Sequence, residues 1–308
     1  MKPENQNPRI HIPVLLKETL ELLALSSGKK SIDMTLGLGG HSEQILLKTS
    51  PTGKLLGIDK DAGVLKLASQ NLEKFGDRFV CVQSTFSKSL EISKKYKFNQ
   101  VDAILFDLGI SSWQLDTAER GFGFKENGPL DMRMNPETGQ TAADIVNYTN
   151  ESELADLLYL YGDERLSRQI SKSICFKRRE KKIETTEELA KIVSEAYYRR
   201  GWKRSKVNPA TKTFQALRIA VNDEVNELKK GLMAGAELLA AGGRMAVISF
   251  HSGEDRIVKQ FFRTLSREKK LGKILTKKPI VATFEEKKEN PRARSAKLRG
   301  FEKKIINN

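Results

Sequence analysis

A glycine-rich turn and an acidic residue 22 positions further on are the first features that could do chemistry. The turn is Gly37-Leu38-Gly39-Gly40-His41, and Asp59 ends the next apolar segment. Glycines at such a turn let the backbone approach a ligand closely at a helix N-terminus. A carboxylate at about this spacing meets ribose hydroxyls in a doubly wound fold. The pair therefore predicts a nucleoside-containing ligand, the alternative being a structural turn without one.

A second acidic turn follows the fourth apolar segment and reads Asp107-Leu108-Gly109-Ile110-Ser111-Ser112, with Gln114 just beyond. Catalytic groups of open α/β sheets lie at the carboxyl ends of strands. We therefore expect Asp107 to face the ligand or a second substrate. The alternative is that it only caps the next turn.

NAD is the obvious competitor for a glycine turn of this kind. The dinucleotide fingerprint needs a third glycine where Ser42 stands, and the chain lacks a second mononucleotide-binding half. S-adenosylmethionine needs only a close turn for its amino acid end and an acid for its ribose. The residues favour S-adenosylmethionine.

The elements that must position these residues alternate between strands and helices. We predict strands at Lys30–Leu36, Lys54–Asp59, Phe79–Gln83 and Val101–Asp107, with helices between them. Fully apolar strands separated by helices indicate a parallel sheet covered on both faces.

The alternation stops after Asp107 and resumes near residue 208. We predict a helix at Thr211–Ala240, a strand at Arg244–Phe250, and extended segments near Lys278–Thr283 and Ser295–Lys303 that pair antiparallel. The fold is thus an α/β, Rossmann-like sheet with an inserted, mostly helical second domain. We place the sheet domain at 1–114 and 208–308 and the insertion at 115–207.

The excess of positive charge lies in the second half of the chain. The 308 residues carry a net charge of +15, yet residues 1–150 are net neutral, so the whole excess falls within 151–308. A one-sided excess of this size attracts a polyanion, foremost nucleic acid, with an acidic membrane surface or no polyanion as alternatives.

Other sequence features narrow the class of protein. No apolar run approaches the roughly 20 residues that span a bilayer. The polar N-terminus does not read as a targeting signal, so we expect a cytoplasmic protein without a membrane partner. Cys81, Cys175 and scattered histidines give neither a disulfide framework nor metal-ligand spacing, so we predict no metal site.

Taken together, these motifs closely resemble the MraW family, also called RsmH, of small-subunit ribosomal RNA methyltransferases. The resemblance runs from His11 almost to the C-terminus. It rests on H-I-P-V-L-L-K-E (His11–Glu18), G-L-G-G-H-S (Gly37–Ser42), D-L-G-I-S-S-W-Q-L-D (Asp107–Asp116), E-R-G-F-G-F (Glu119–Phe124), G-P-L-D-M-R-M (Gly128–Met134), N-P-A-T-K-T-F-Q-A-L-R-I (Asn208–Ile219), I-S-F-H-S-G-E-D-R-I-V-K (Ile248–Lys259) and N-P-R-A-R-S (Asn290–Ser295).

The resemblance implies a class I methyltransferase sheet that binds S-adenosyl-L-methionine and methylates the N4 amine of a cytidine in the decoding region of 16S ribosomal RNA. It implies that the cofactor contacts Gly39, Gly40, His41, Asp59, Phe86, Asp107 and Gln114.

A cytosine amine is a weak nucleophile, and it needs a group that accepts its hydrogen bond. Our candidates are Asp107, then Asp131, whose alternative role is an ion pair with Arg133. His251 and Asp255 could border the base pocket or only support it. We expect the RNA to contact Lys177, Arg178, Arg179, Arg199, Arg200, Lys203 and Arg204, with Tyr197, Tyr198 and Trp202 as candidates for stacking or core packing.

The expected partner is small-subunit ribosomal RNA within an assembling 30S particle, and a homodimer stays open at this stage. The alternatives are an assembly factor of weak catalytic activity that binds ribosomal RNA, a DNA cytosine-N4 methyltransferase, and an NAD-dependent oxidoreductase.

Overall fold

The structure is a computed structural model that describes residues 13–201 and 208–305. The chain divides into two compact units. The first unit is Met1–Ser111 with Asn226–Asn308, and the second is Ser112–Val225.

The first unit is built on a seven-stranded sheet in the order β3-β2-β1-β4-β5-β7-β6. Neighbours from β3 to β5 pair in parallel, whereas β7 pairs antiparallel with both β5 and β6. The predicted α/β, Rossmann-like class is confirmed. The strands are β1 Lys30–Asp33, β2 Lys54–Asp59, β3 Phe79–Gln83, β4 Val101–Asp107, β5 Leu239–Ser249, β6 Gly272–Ile274 and β7 Lys297–Lys303.

Helices cover the sheet and form most of the second unit. In chain order they are α1 Leu16–Leu23, α2 Gly40–Lys48, α3 Ala62–Leu72, α4 Ser89–Tyr96, α5 Ser112–Asp116, α6 Ala142–Tyr148, α7 Glu151–Gly162, α8 Ser167–Lys177, α9 Thr186–Tyr198, α10 Ala210–Asn222, α11 Glu224–Leu238, α12 Ser252–Arg263 and α13 Phe284–Glu289.

Apolar side chains project from both faces of the central strands and form two hydrophobic cores. On β4, Ile104 and Phe106 join one core, whereas Ala103 and Leu105 join the other. Because successive strand residues point to opposite faces, a strand buried on both sides must be apolar throughout. Its two polar residues, Asp102 and Asp107, therefore come near the two ends of the strand.

The prediction of one helix across Thr211–Ala240 was wrong. Asp223 adopts a left-handed conformation with φ 51° and separates α10 from α11. The side chain of Asn222 fixes the break, because it donates to Met132 O at 2.8 Å and accepts from Met134 N at 2.8 Å. The apolar periodicity continues across the break, and no glycine or proline in the sequence marks its position.

The prediction that the last two extended segments pair antiparallel was only partly correct. Residues 278–283 meet β7 in a single bridge, Ile280 to Leu298. The continuous partners of β7 are β5 and the short strand β6, which the sequence reading missed.

The second unit is helical, and α7 packs against both α8 and α10. Capping boxes begin two of its helices, with Thr141 and Asp144 at α6 and Thr185 and Glu188 at α9. This unit includes α10, which the sequence reading assigned to the sheet domain. The extent of a substrate-recognition domain stays a prediction.

Within the described residues, no helix is both long enough and apolar enough to cross a membrane.

Candidate active site

The predicted glycine turn joins β1 to α2. Gly37 has φ 54° and Gly39 has φ 86°, and Gly39 directly precedes α2. A Cβ on Gly39 would lie 2.9 Å from Leu72 Cδ1, closer than real side chains come. The turn thus requires glycine both for its backbone conformation and for its close packing against α3.

Asp59, at the end of β2, holds this turn in place. Its Oδ2 accepts from Gly37 N at 2.9 Å, and its Oδ1 accepts from Asp61 N at 3.0 Å. Burial raises the pKa of Asp59 to about 6, although the backbone hydrogen bonds act in the opposite direction. Each carboxylate oxygen keeps a further lone pair that can accept from a ligand hydroxyl.

His41, in the first turn of α2, connects the N-terminal segment to the end of β4. Its Nε2 lies 3.1 Å from Val14 O, and its Nδ1 lies 3.4 Å from Asp107 Oδ2. Burial acts to lower the pKa of His41, but the hydrogen bond and the charge of Asp107, with help from Asp33, outweigh burial and raise the pKa above its ordinary value.

Asp33, the last residue of β1, lies close to these residues, and the sequence analysis did not single it out. It is buried, and its carboxylate accepts from Ser42 Oγ at 2.7 Å and from Thr35 N at 3.1 Å. Burial raises the pKa of Asp33, against the lowering effect of Ser42 and His41. Its place at the end of a strand, like that of Asp59 and Asp107, was the signal that could have revealed it.

Asp107 stands where β4 ends, and it has one buried oxygen with no hydrogen-bond partner among the described residues. That oxygen is Oδ1, whereas Oδ2 faces His41 and the backbone N–H of Asp107 donates to Thr35 Oγ1 at 2.6 Å. Buried polar atoms are almost always hydrogen-bonded. An unpartnered acceptor beside a tight glycine turn fits a ligand that brings its own donors.

Phe86 packs inward. Its ring meets Phe106 edge-on at 5.7 Å between ring centroids, and a Cβ on Gly231 would lie 2.4 Å from Phe86 Cδ2. This contact supports the packing role, while contact with an adenine stays a prediction. Gln114 is buried in α5 of the second unit, so its predicted cofactor contact also remains a prediction.

Asp131 forms a two-point ion pair within the second unit. Arg133 donates to it from Nε at 2.9 Å and from Nη2 at 2.7 Å. Burial acts to raise the pKa of Asp131, but Arg133 outweighs burial and lowers it. This is the structural alternative considered for Asp131, and the lowered pKa makes the residue a weaker proton acceptor than an ordinary aspartate.

The residues after β5 are engaged locally. His251 caps α12 through Nδ1, which accepts from Glu254 N at 3.4 Å. Asp255 accepts from Arg299 Nε at 2.6 Å, and this ion pair ties α12 to β7. A supporting role therefore fits both residues.

The predicted RNA-binding cations divide into anchored and exposed side chains. Arg178 Nη1 donates to Val146 O and Thr149 O, both at 2.7 Å, and so closes the C-terminal end of α6. Arg179, Arg199 and Arg200 are exposed, and Lys177 is half-buried beside Glu180. Lys203, Arg204 and Trp202 lie outside the described residues.

The stacking candidates also divide. The Tyr197 hydroxyl donates to Glu164 at 2.7 Å, so this ring belongs to the interior. Tyr198 is exposed.

A doubly wound sheet with a glycine turn after β1, an acid ending β2 and an acid ending β4 defines the class of α/β enzymes that bind a nucleoside at the carboxyl edge of the sheet. Residues 9–304 match the family model of the MraW methylase family, and the chain belongs to that family. The chain is therefore a methyltransferase.

Its similar relatives share the name ribosomal RNA small subunit methyltransferase H. The protein from Maricaulis maris is 48% identical over 305 residues, covering 94% of this chain and 90% of the relative. Those from Trichlorobacter lovleyi and Dictyoglomus turgidum are 46% and 48% identical, covering 95% and 96% of this chain and 98% of each relative.

The chain also resembles solved structures at low sequence identity. The N-methyltransferase NodS from Bradyrhizobium japonicum covers 94% of each chain at 8% identity, with a TM-score of 0.43.

Proposed function

We propose that this chain transfers the methyl group of S-adenosylmethionine to the exocyclic N4 amine of a cytidine in the decoding region of small-subunit ribosomal RNA. The observation that carries the proposal is the buried, unpartnered Oδ1 of Asp107, next to the glycine turn that Asp59 holds. The names of the relatives support the RNA, and the family resemblance supports the nucleotide.

The first unit would hold the methyl donor through the glycine turn and through Asp59 and Asp107, the acids that flank this turn. The backbone of Gly39 and Gly40 would lie against the amino acid end, and Asp59 would accept hydrogen bonds from the ribose hydroxyls. The bound donor supplies an electrophilic methyl carbon on sulfur. These roles need only the positive φ of the turn and the remaining lone pairs of Asp59.

Asp107 would act on the acceptor amine. The lone pair of a cytosine amine is delocalised into the ring, so the nitrogen needs a positioned acceptor that strengthens its hydrogen bond as it rehybridises. Oδ1 would accept that hydrogen bond and take the proton that leaves the nitrogen. His41, at Oδ2, keeps the carboxylate oriented while Oδ1 is engaged.

Exposed cations of the second unit would contact the RNA. The net charge of +15 falls within residues 151–308, which include parts of both units, and in the second unit Arg179 and Arg199 are exposed to solvent. An RNA substrate agrees with this distribution better than a small molecule does. Because neither charge nor geometry separates RNA from DNA, the assay must offer both.

The test is Asp107→Asn, assayed with labelled donor on small ribosomal subunits, their naked RNA and duplex DNA. We expect transfer to fall about 100-fold or more, since the amide cannot take a proton. The matched variant is Asp131→Asn, which should keep transfer within a few-fold because Arg133 already occupies that carboxylate. Full transfer by Asp107→Asn would refute the assignment, and transfer to DNA alone would refute the substrate.

A further inference from the structure

Two exposed aromatic rings of the second unit border the point where Arg178 joins α8 to the end of α6. Tyr148, the last residue of α6, is 67% exposed, and Phe176, near the end of α8, is 59% exposed. Arg178 bonds the carbonyls of Val146 and Thr149, on either side of Tyr148. The backbone segments that carry the two rings are therefore joined at one place in the fold.

Cations lie close to these rings, in space at Tyr148 and in sequence at Phe176. Lys182 Nζ donates to the Tyr148 hydroxyl at 2.7 Å and lies 5.3 Å from the centroid of its ring. Lys177 and Arg179 follow Phe176 directly in sequence, on either side of the anchored Arg178. We name this surface the aromatic–cationic junction, and its members are Tyr148, Phe176, Lys177, Arg179 and Lys182.

A matched surface exists on the next helix. Tyr159 on α7 is 63% exposed, like the rings of the junction. However, α7 carries Glu151, Glu153 and Asp156 and no basic residue. Exposed tyrosine is therefore not special in this unit, and Tyr148 differs from Tyr159 in the cation that lies over its ring.

We propose that the aromatic–cationic junction binds an unpaired stretch of RNA, with bases stacked on Tyr148 and Phe176 and the adjoining phosphates at the cations. The inference rests on the proposed function and adds the form of RNA that this unit recognises. Unpaired bases expose their faces to aromatic rings, whereas paired bases do not. Cations within reach of the same rings match the backbone charge of that strand, which an apolar protein partner would not require.

The experiment measures binding of a fluorescent, unstructured oligoribonucleotide to the full chain over a range of salt concentrations, without methyl donor. Tyr148→Ala and Phe176→Ala should each weaken binding about 5- to 10-fold, with the slope against log salt unchanged because stacking releases no counterions. Tyr159→Ala should bind as the parent does. Tyr148→Phe should bind the RNA as the parent does, unlike Tyr148→Ala, because it keeps the aromatic ring.

Equal loss with Tyr159→Ala, or no loss with either junction variant, would overturn the inference. Unchanged RNA affinity together with weaker binding to isolated small-subunit proteins would assign the surface to a protein partner instead. Failure of the proposed function is seen separately, as absent methyl transfer by the parent chain. Thermal melts within a few degrees of the parent confirm that the exposed substitutions leave the fold intact.

Discussion

The imidazole of His41 lies between the Val14 carbonyl and the carboxylate of Asp107, 3.1 Å from the first through Nε2 and 3.4 Å from the second through Nδ1. If Nε2 carries the proton toward the carbonyl, a neutral ring would turn the lone pair of Nδ1 toward the carboxylate. The charged ring donates to both acceptors, which is the physical reason for its raised pKa. This contact links the chain before α1 to the end of β4.

Replacing His41 with Gln should make stability less dependent on pH. Because the folded pKa is raised, the stabilisation by His41 is fully present below its ordinary value of 6.5 and is lost as pH rises through the folded pKa. We expect the variant to lose about 1.5–3 kcal/mol of unfolding free energy at pH 6 and less at pH 9. Urea unfolding at both pH values checks this, and an equal loss at both would contradict it.

Donor binding should weaken in mild acid because of Asp59. Its pKa is raised to about 6, so the carboxylate that accepts ribose hydroxyls becomes protonated as pH falls through that value. Below pH 6 the dissociation constant of S-adenosylmethionine should rise about tenfold per pH unit. Calorimetry from pH 5 to 8 measures the dependence, and Asp59→Asn should bind weakly without it. A parent curve flat across this window would refute the role.

Gly39→Ala tests whether the turn needs space as well as backbone freedom. Gly139→Ala is its matched control, since Gly139 has φ 84° but a Cβ there would meet nothing within 4 Å. Each variant should lose about 1–2 kcal/mol for the left-handed conformation. Only Gly39→Ala should displace Leu72, lose further stability and lose donor binding. Denaturation and calorimetry separate these effects, and identical behaviour of the two variants would exclude the steric argument.

Neighbouring arginines should behave differently. Arg178→Ala leaves the carbonyls of Val146 and Thr149 without their donor, so we expect a loss of about 1–3 kcal/mol in stability. Arg179→Ala should melt like the parent but flatten the dependence of log RNA affinity on log salt by about 0.7–0.9 units. Melting curves and salt titrations of both variants distinguish the roles. The reverse pattern would mean that Arg178 reaches the RNA.

The sheet was predictable because fully buried strands appear in the sequence as continuous runs of apolar residues. The bounds of β2, β3 and β4 agree with the prediction, and so the acids at the ends of β2 and β4 were found. The break at Asp223 was not predictable. It depends on Asn222 bonding a loop some 90 residues earlier, and no local pattern encodes that contact.

The site was found from its backbone features more than from its side-chain partners. Gly39 and Asp59 follow from turn chemistry and spacing. The pairing of His41 with Asp107 arises only when α2 meets the end of β4, and the burial of Asp33 behind Ser42 arises only when the chain turns from β1 into α2. Likewise, the sequence does not distinguish the cations of Lys177–Arg179 from one another. Only the fold shows that Arg178 bonds a carbonyl at the end of α6.

The position of β7 has a consequence for the order in which the polypeptide is synthesised. This strand is the last in chain order, yet it lies inside the sheet, between β5 and β6. During translation the outer ladder groups of β5 must wait for residues 297–303, and until then they form an open edge that another chain could join. The nucleoside-binding half of the sheet is made early, whereas protection of its far side against aggregation comes with the final strand.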